Sequence, residues 1–380
     1  MKGTGLNSLA FVWIVAASII SDGLFIWPLH IVLVAGQNAE LAILFADLWA
    51  MALALLIPST PPRGPFWRWL FTGFDIAALT AILAMDAIML VELFGMMQTF
   101  YYFNTPRWAL LVPYVAVIGM ASVRRNNVPW RVVALWVPLL FLAAGVIIGL
   151  AFTTVHNGRV LLPNSDITLF PILRAVTVLG YLGVPVGVTM RLVRGELAEP
   201  PKRLLRMAAI GLTVLFLTVL YVLTMGALGP DAIIHTRWPV VFAFDHVTLD
   251  STFFLSRVGI LVVFSWTTGI ALGLIVHLRM ASLLMARRWP KTSGLLPVAV
   301  IIGWMVMGLG ISSPQTASSI LLRWLDPPAD GYCAAEMALL LGYGIVRLLR
   351  RRERKRPVRP FAERPRTNGP IPVSGLDPHT

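Results

Sequence analysis

Charge is scarce in this sequence. Asp, Glu, Lys and Arg make up 13% of its 380 residues, about half of what a soluble chain carries. Hydrophobic residues make up 57%, and mean hydropathy is +0.78. That balance excludes an ordinary soluble domain. Cysteine is nearly absent: with Cys333 alone, no intramolecular disulfide can form, and a thiolate metal cluster is not expected. The six histidines (His30, His156, His235, His246, His277 and His379) are scattered, with no metal-ligand spacing. No nucleophile elbow, phosphate loop or carboxylate pair at catalytic spacing is found. Neither an enzyme nor a bound cofactor is therefore expected.

What the chain has instead is apolar runs, ten of them. They cover about Leu9–Val34, Glu40–Ile57, Phe74–Phe100, Trp108–Val123, Val132–Thr154, Leu169–Leu192, Leu205–Leu228, Phe254–Met285, Leu295–Ile311 and Tyr332–Leu349. About 20 apolar residues span a bilayer as a helix. The first run is too long for a signal h-region and lacks a small-residue cleavage site, so it reads as a spanning helix. Ten spans put both termini on one side. If that side is the cytoplasm, most of the 31 Lys and Arg face inward. Only Arg107, Arg159, Arg174, Arg237, Arg257 and Arg323 fall outside, as the positive-inside rule requires. The net charge of +13 thus follows membrane sidedness and gives no reason to expect nucleic acid. Residues 1–350 read as the transmembrane domain. Residues 351–380 read as a basic, Pro-rich, disordered cytoplasmic tail, resting on anionic lipid or simply trailing a stop-transfer cluster. Between the seventh and eighth runs, the apolar stretch Trp238–Phe244 is too short to span and reads as an outer half-helix or lid.

The chain is organised around its first run, LAFVWIVAASIISDGLFIWPLHIVLVAGQN from Leu9 to Asn38. Its middle carries Ser21, Asp22 and Gly23, with Pro28 one turn on. A charge at mid-membrane depth costs several kcal/mol, roughly 2.5 to 3.5 on insertion scales, and Gly and Pro weaken the backbone ladder at the same place. A helix broken beside a cavity accommodates that combination; a lipid-facing helix does not. In the sixth run Gly180, Gly183, Pro185 and Gly187 cluster in the same way.

The motifs resemble those of the spore-germination permease family, the B-type subunits of nutrient germinant receptors in the amino acid–polyamine–organocation transporter superfamily. The likeness rests on SDGLFIWP followed by AGQNAEL, on NTPRW at Asn104–Trp108, and on LLP and GYLG between Leu161 and Gly183. It also rests on GALGP followed by WPVVFAFDHV, and on FLSRVGILVVFSW at Phe254–Trp266. Their order holds from Leu9 to Arg288. The chain departs from the pattern at Ser21, where glycine is usual, and at Ser256 and Gly259, where the family carries acids beside the retained arginine, Arg257. The resemblance implies an all-α integral membrane protein of about ten transmembrane helices. These would form a five-plus-five inverted repeat with helices 1 and 6 discontinuous, the substrate lying between them and helices 3 and 8 completing the pocket.

Several residues then become candidates for substrate contact, each with a plainer alternative. Asp22 could take a ligand's ammonium group, a proton or a cation, or Ser21 or Asp22 could simply N-cap the second half-helix. Ser21, Gly23, Gly180, Tyr181, Leu182 and Gly183 would offer backbone at the breaks; small residues in membrane helices also serve close packing. Asp86 and Glu92, six residues and so about 240° apart on one helix, cannot share a face. Asp86, nearer the middle, ranks first, with a hydrogen-bonded structural role as the alternative for both acids; Asp47 in the second helix ranks below them. Trp266 and Thr267, with Thr268, could line a pocket, or the threonines could bond their own helix carbonyls while Trp266 fills a packing gap. Arg257 could form an outer gate or a partner contact, or snorkel to headgroups.

Three functions fit. The first is a germination protein of the spore inner membrane that binds a small nutrient, an amino acid, and signals with an A-type membrane subunit and a C-type lipoprotein. The second is an amino acid/proton symporter of a bacterial cell membrane. The third is a subunit whose pocket is vestigial or passes water and ions. Membrane lipid is the expected surrounding in each case.

Overall fold

The computed structural model describes residues 6–21, 27–58, 64–123, 127–152, 167–178, 180–199, 201–245, 259–290, 295–311 and 313–354. Helices account for nearly all of them, and no β-strand occurs among the described residues; one isolated bridge joins Leu6 and Leu197. The first apolar run is carried by two helices, α1 (Ser8–Ile20) and α2 (Trp27–Ala35). Asn7 caps α1, its side-chain oxygen accepting from the Ala10 N–H at 2.7 Å, which satisfies one of the orphan donors of the first turn. Then follow α3 (Ala39–Leu56), α4 (Pro65–Phe100), α5 (Arg107–Val123) and α6 (Val128–Ala151). The sixth run also holds two helices, α7 (Leu169–Val178) and α8 (Gly180–Val193). The remainder is α9 (Arg203–His235), α10 (Pro239–Asp245), α11 (Gly259–Arg288), α12 (Leu295–Gly310), α13 (Pro314–Ile320) and α14 (Asp326–Arg354).

Among the described residues, six helices are long and apolar enough to cross a membrane: α3, α4, α6, α9, α11 and α14. They fall on apolar runs read from the sequence, with local differences. The third begins earlier than its apolar core, because Pro65 sits at the first helical position, where its missing N–H and fixed φ are no handicap. The seventh continues to His235 across a break at Gly229 (φ 76°, ψ 162°) before Pro230, one residue after the run ends at Leu228. The short stretch after it forms α10. The last helix extends to Arg354, slightly beyond the domain boundary at residue 350; residues 355–380 lie outside the described set.

Packing is organised around α1, which contacts α6, α8, α9 and α11, while α2 packs on α7 and α9. On α1, Phe11, Ile14, Val15, Ala16 and Ser18 are fully buried, whereas outward residues such as Leu135, Leu142 and Phe264 remain exposed on other helices. Apolar residues facing outward are what a lipid environment permits.

Candidate functional site

Three acids on α4, Asp75, Asp86 and Glu92, are all buried, and each meets its partners at a different depth. A buried acid is costly unless paired or hydrogen-bonded. All three are.

The middle acid, Asp86, faces His277 of α11, whose Nδ1 lies 3.0 Å from both carboxyl oxygens. The other ring nitrogen, Nε2, lies 2.9 Å from the Ser18 hydroxyl of α1. Ser18 Oγ in turn lies 2.9 Å from Thr189 Oγ1 of α8. All four side chains have 0% exposure. One hydrogen-bonded chain therefore ties α4, α11, α1 and α8 together at the end of α1. Close approach of α1 and α11 makes this possible. A Cβ on Gly273 would collide with the Ser21 side chain and come within 2.9 Å of the Ala17 carbonyl oxygen, and one on Gly269 would touch Ile20. Gly269, Gly273 and His277 recur every four residues, so they share one face of α11.

Beside this chain lies an apolar cavity of about 640 Å³, its open mouth included. It is bounded by α1, α6, α9, α10 and α11, with Ile20, Phe141, Phe216, Phe244 and Trp266 among its walls and Ser265 a polar group in them. Each of these walls is buried or half-buried. The cavity is thus set among the helices, with a mouth open to the surroundings.

Toward the start of α4, Asp75 accepts from Arg191 Nε of α8 at 2.7 Å. The same guanidinium donates to Glu336 of α14 and, at 3.3 Å, to Tyr332 Oη. It also stands 5.7 Å from the centre of the Phe71 ring. Toward the other end, Glu92 accepts from Arg237 Nη2 at 2.6 Å and Nε at 3.2 Å, and from the Trp238 indole at 3.2 Å.

The residues singled out in the sequence are thus distributed. Asp86 belongs to the central chain. Ser21 is buried against α11, its hydroxyl donating to the Ser18 carbonyl at 3.1 Å. Gly180, Tyr181, Leu182 and Gly183 form the first turn of α8. Trp266 lines the cavity. Thr267 Oγ1 donates to the Val263 carbonyl at 2.7 Å and Thr268 Oγ1 to that of Phe264 at 2.9 Å, while the Thr267 carbonyl accepts from Tyr114 Oη at 2.6 Å. Asp47 accepts from Thr218 at 3.3 Å. Asp22, Gly23 and Arg257 lie outside the described residues.

His277, Ser18 and Thr189 were not singled out in the sequence. The available signal was His277 itself: an ionisable group within a long apolar run, in step with two glycines, answers the same rule that singled out Asp86. Arg191 was likewise read as a cytoplasmic charge, although it is buried and neutralised by two acids. Among the described residues no group of three or more metal-ligating side chains occurs.

A family model described as "Spore germination protein" matches residues 65–315, from the start of α4 to the start of α13. No curated protein matches the chain. Among solved structures, a manganese transporter from Eremococcus coleocola, in complex with an aromatic bis-isothiourea compound, superposes with a TM-score of 0.48 at 12% identity, over 90% of this chain and 78% of that one. A nucleobase-cation-symport-1 family transporter, closed with bromovinylhydantoin bound, gives 0.43 at 14% identity, over 83% and 75%.

Proposed function

The chain belongs to the spore-germination permease family, and from that premise we propose that it is the permease-like subunit of a nutrient germinant receptor, which binds an amino acid at mid-membrane depth between α1 and α8. The observation that carries this reading is the meeting of α1, α4, α8 and α11 on one buried polar chain beside an apolar cavity. A zwitterion needs fixed polar groups for its ends and an apolar recess for its side chain. Ser21, Asp22 and Gly23 at the end of α1, and Gly180–Gly183 at the start of α8, would supply the former, with Asp86, Trp266 and Thr267 around them. Arg257 would act at the outer gate or on a partner.

An inverted five-plus-five repeat is supported by reciprocal packing. When the first five apolar runs are exchanged for the last five, several neighbouring pairs map onto neighbouring pairs, although the packing of α1 on α11 and of α8 on α14 has no counterpart of similar extent. α1 packs on α8 as α2 does on α7; α3 meets α7 and α8 as α9 meets α1 and α2; α4 meets α12 as α11 meets α5; and α6 meets α1 as α14 meets α7. Five spans per half is odd, so the second half enters the bilayer from the opposite side. Signalling would then pass through an A-type membrane subunit and a C-type lipoprotein in the spore inner membrane, with the basic tail on the cytoplasmic leaflet.

Thermal unfolding of the full chain in nanodiscs, screened against amino acids, nucleosides and sugars, tests this. A ligand that binds only the folded state stabilises it by about 2.7 kcal/mol at a hundredfold excess over Kd. The expected result is a shift with an amino acid that is lost in Asp22→Asn and Gly183→Val. A shift retained in both, or none with any amino acid, overturns the proposal. The Asp86–His277 pair favours a second reading, an amino acid/proton symporter; amino acid-driven proton uptake into proteoliposomes of the lone chain would select it.

A further inference from the structure

We infer that Asp86 and His277 form a proton-binding site, and that the bound proton sets the direction of the hydrogen bonds from His277 through Ser18 to Thr189. The site shares Asp86 with the nutrient site proposed above, but the proton reading stands or falls on its own measurement.

Two of the arrangements the geometry allows differ by one proton on His277. In the first, His277 is neutral: Nδ1–H donates to the Asp86 carboxylate, Nε2 accepts from the Ser18 hydroxyl, and Ser18 Oγ accepts from the Thr189 hydroxyl. The cluster then carries one net negative charge at a place with 0% exposure. In the second, a proton from water has bonded to Nε2. His277 now donates from both nitrogens, to Asp86 at 3.0 Å and to Ser18 at 2.9 Å. Ser18 must then turn its own O–H toward Thr189 at 2.9 Å. Net charge is zero, and no bond breaks apart from the one that released the proton. An uncompensated carboxylate in a low-dielectric site is far costlier than a compensated pair. The buried pair therefore retains the proton until water reaches it. Because Ser18 is on α1 and Thr189 on α8, proton arrival or loss is felt where these two helices touch. A monovalent metal ion fits less well, since imidazole nitrogens already occupy the space between the carboxylate and the hydroxyls.

The other ionisable groups on helices packed against α4 and α11 are engaged or placed elsewhere. Asp75, eleven residues and about 16 Å from Asp86 along the helix, pairs with Arg191 of α8, as does Glu336 of α14. Glu92 pairs with Arg237. On α5, Arg107 donates to the Ile311 carbonyl at 2.6 Å and Tyr114 to that of Thr267. Arg279 follows His277 by two residues, about 200° round the helix. Arg131 opens α6 and Asp245 ends α10, while α1, α12 and α13 carry no ionisable residue.

The test is ¹⁵N-histidine NMR on the full chain in nanodiscs, with His277 assigned by difference from His277→Gln. The expected result is one step between about pH 5 and pH 8, the range in which imidazole titrates, from an imidazolium to a neutral ring protonated at Nδ1. Asp86→Asn is expected to weaken proton binding at least tenfold. Ser18→Ala should keep the titration but remove the hydrogen-bond signature at Nε2. A neutral His277 throughout the range in the wild-type chain overturns the inference even if Asp86→Asn does not fold. A midpoint unmoved by Asp86→Asn, or one shifted by replacing potassium with sodium, also overturns it. Amino acid binding, read by thermal shift on the same samples, separates this outcome from failure of the nutrient site.

Discussion

Arg191 shows most plainly how much one side chain holds together. It sits between Asp75 of α4 and Glu336 of α14, 6% exposed, with Tyr332 and the Phe71 ring completing its surroundings. A Cβ on Gly187, one helical turn back, would collide with the Glu336 carboxylate, so that glycine is what lets α14 approach. Removing one partner of a buried ion pair typically costs about 3–5 kcal/mol, because the other charge is left uncompensated. Arg191→Ala strands two acids at once. Its loss of stability, measured by thermal unfolding in detergent, is therefore expected at the upper end of that range and above that of Asp75→Asn, which leaves Arg191 paired with Glu336. Equal losses in the two variants would mean that the guanidinium is not shared. Asp75 and Glu336 were not singled out in the sequence; Asp86 and Glu92 were legible there, since an intramembrane carboxylate announces itself. Their partners were not. Asp86 and His277 are 191 residues apart and Asp75 and Arg191 are 116 apart, and no local pattern encodes which distant helix will arrive.

At the scale of the element, apolar length and the Gly and Pro positions carried most of the information. The short α10 and the end of the seventh run at Leu228 follow from Gly or Pro punctuation. The start of α4 did not, because a Trp- and Phe-rich turn behind a helix-initiating proline looks like a loop when hydropathy alone is followed. The break in α9 makes a testable case. Gly229 has φ 76° and ψ 162° with nothing within 4 Å of its missing Cβ. There is room for a methyl group, but the conformation belongs to a region essentially restricted to glycine, at a cost on the order of 1–3 kcal/mol for other residues. Gly229→Ala is therefore expected to destabilise by that amount. Gly303→Ala, also in open space but in the regular helix α12, is expected to be neutral or to stabilise by up to about 1 kcal/mol. Matching signs in the two melting curves would mean that the α9 break is not a backbone requirement.

For the whole molecule, orientation follows from charge. The ion-pair layers at the two ends of α4 have different compositions. Arg191, Arg194, Arg206 and Arg287 gather at the end of Asp75, where Arg194 and Arg206 donate to backbone carbonyls around the end of α3. Arg237 and Arg107 mark the other end. Short segments rich in Lys and Arg stay in the cytoplasm, so the Arg191 end is expected to face inward, and the ten spans proposed above would bring both termini to the same side. The one cysteine, Cys333, is 3% exposed, so the chain provides a quiet background for thiol labelling. With a membrane-impermeant maleimide, Lys2→Cys and Ser374→Cys are expected to react only in inside-out vesicles, and Asn164→Cys, between the fifth and sixth runs, only in right-side-out ones. Reversal of all three would invert the molecule and place the Glu92–Arg237 pair on the cytoplasmic side. Reaction of Lys2→Cys and Ser374→Cys from opposite sides would make the number of spans odd, and the reciprocal packing of the two halves could then not arise from an inverted repeat.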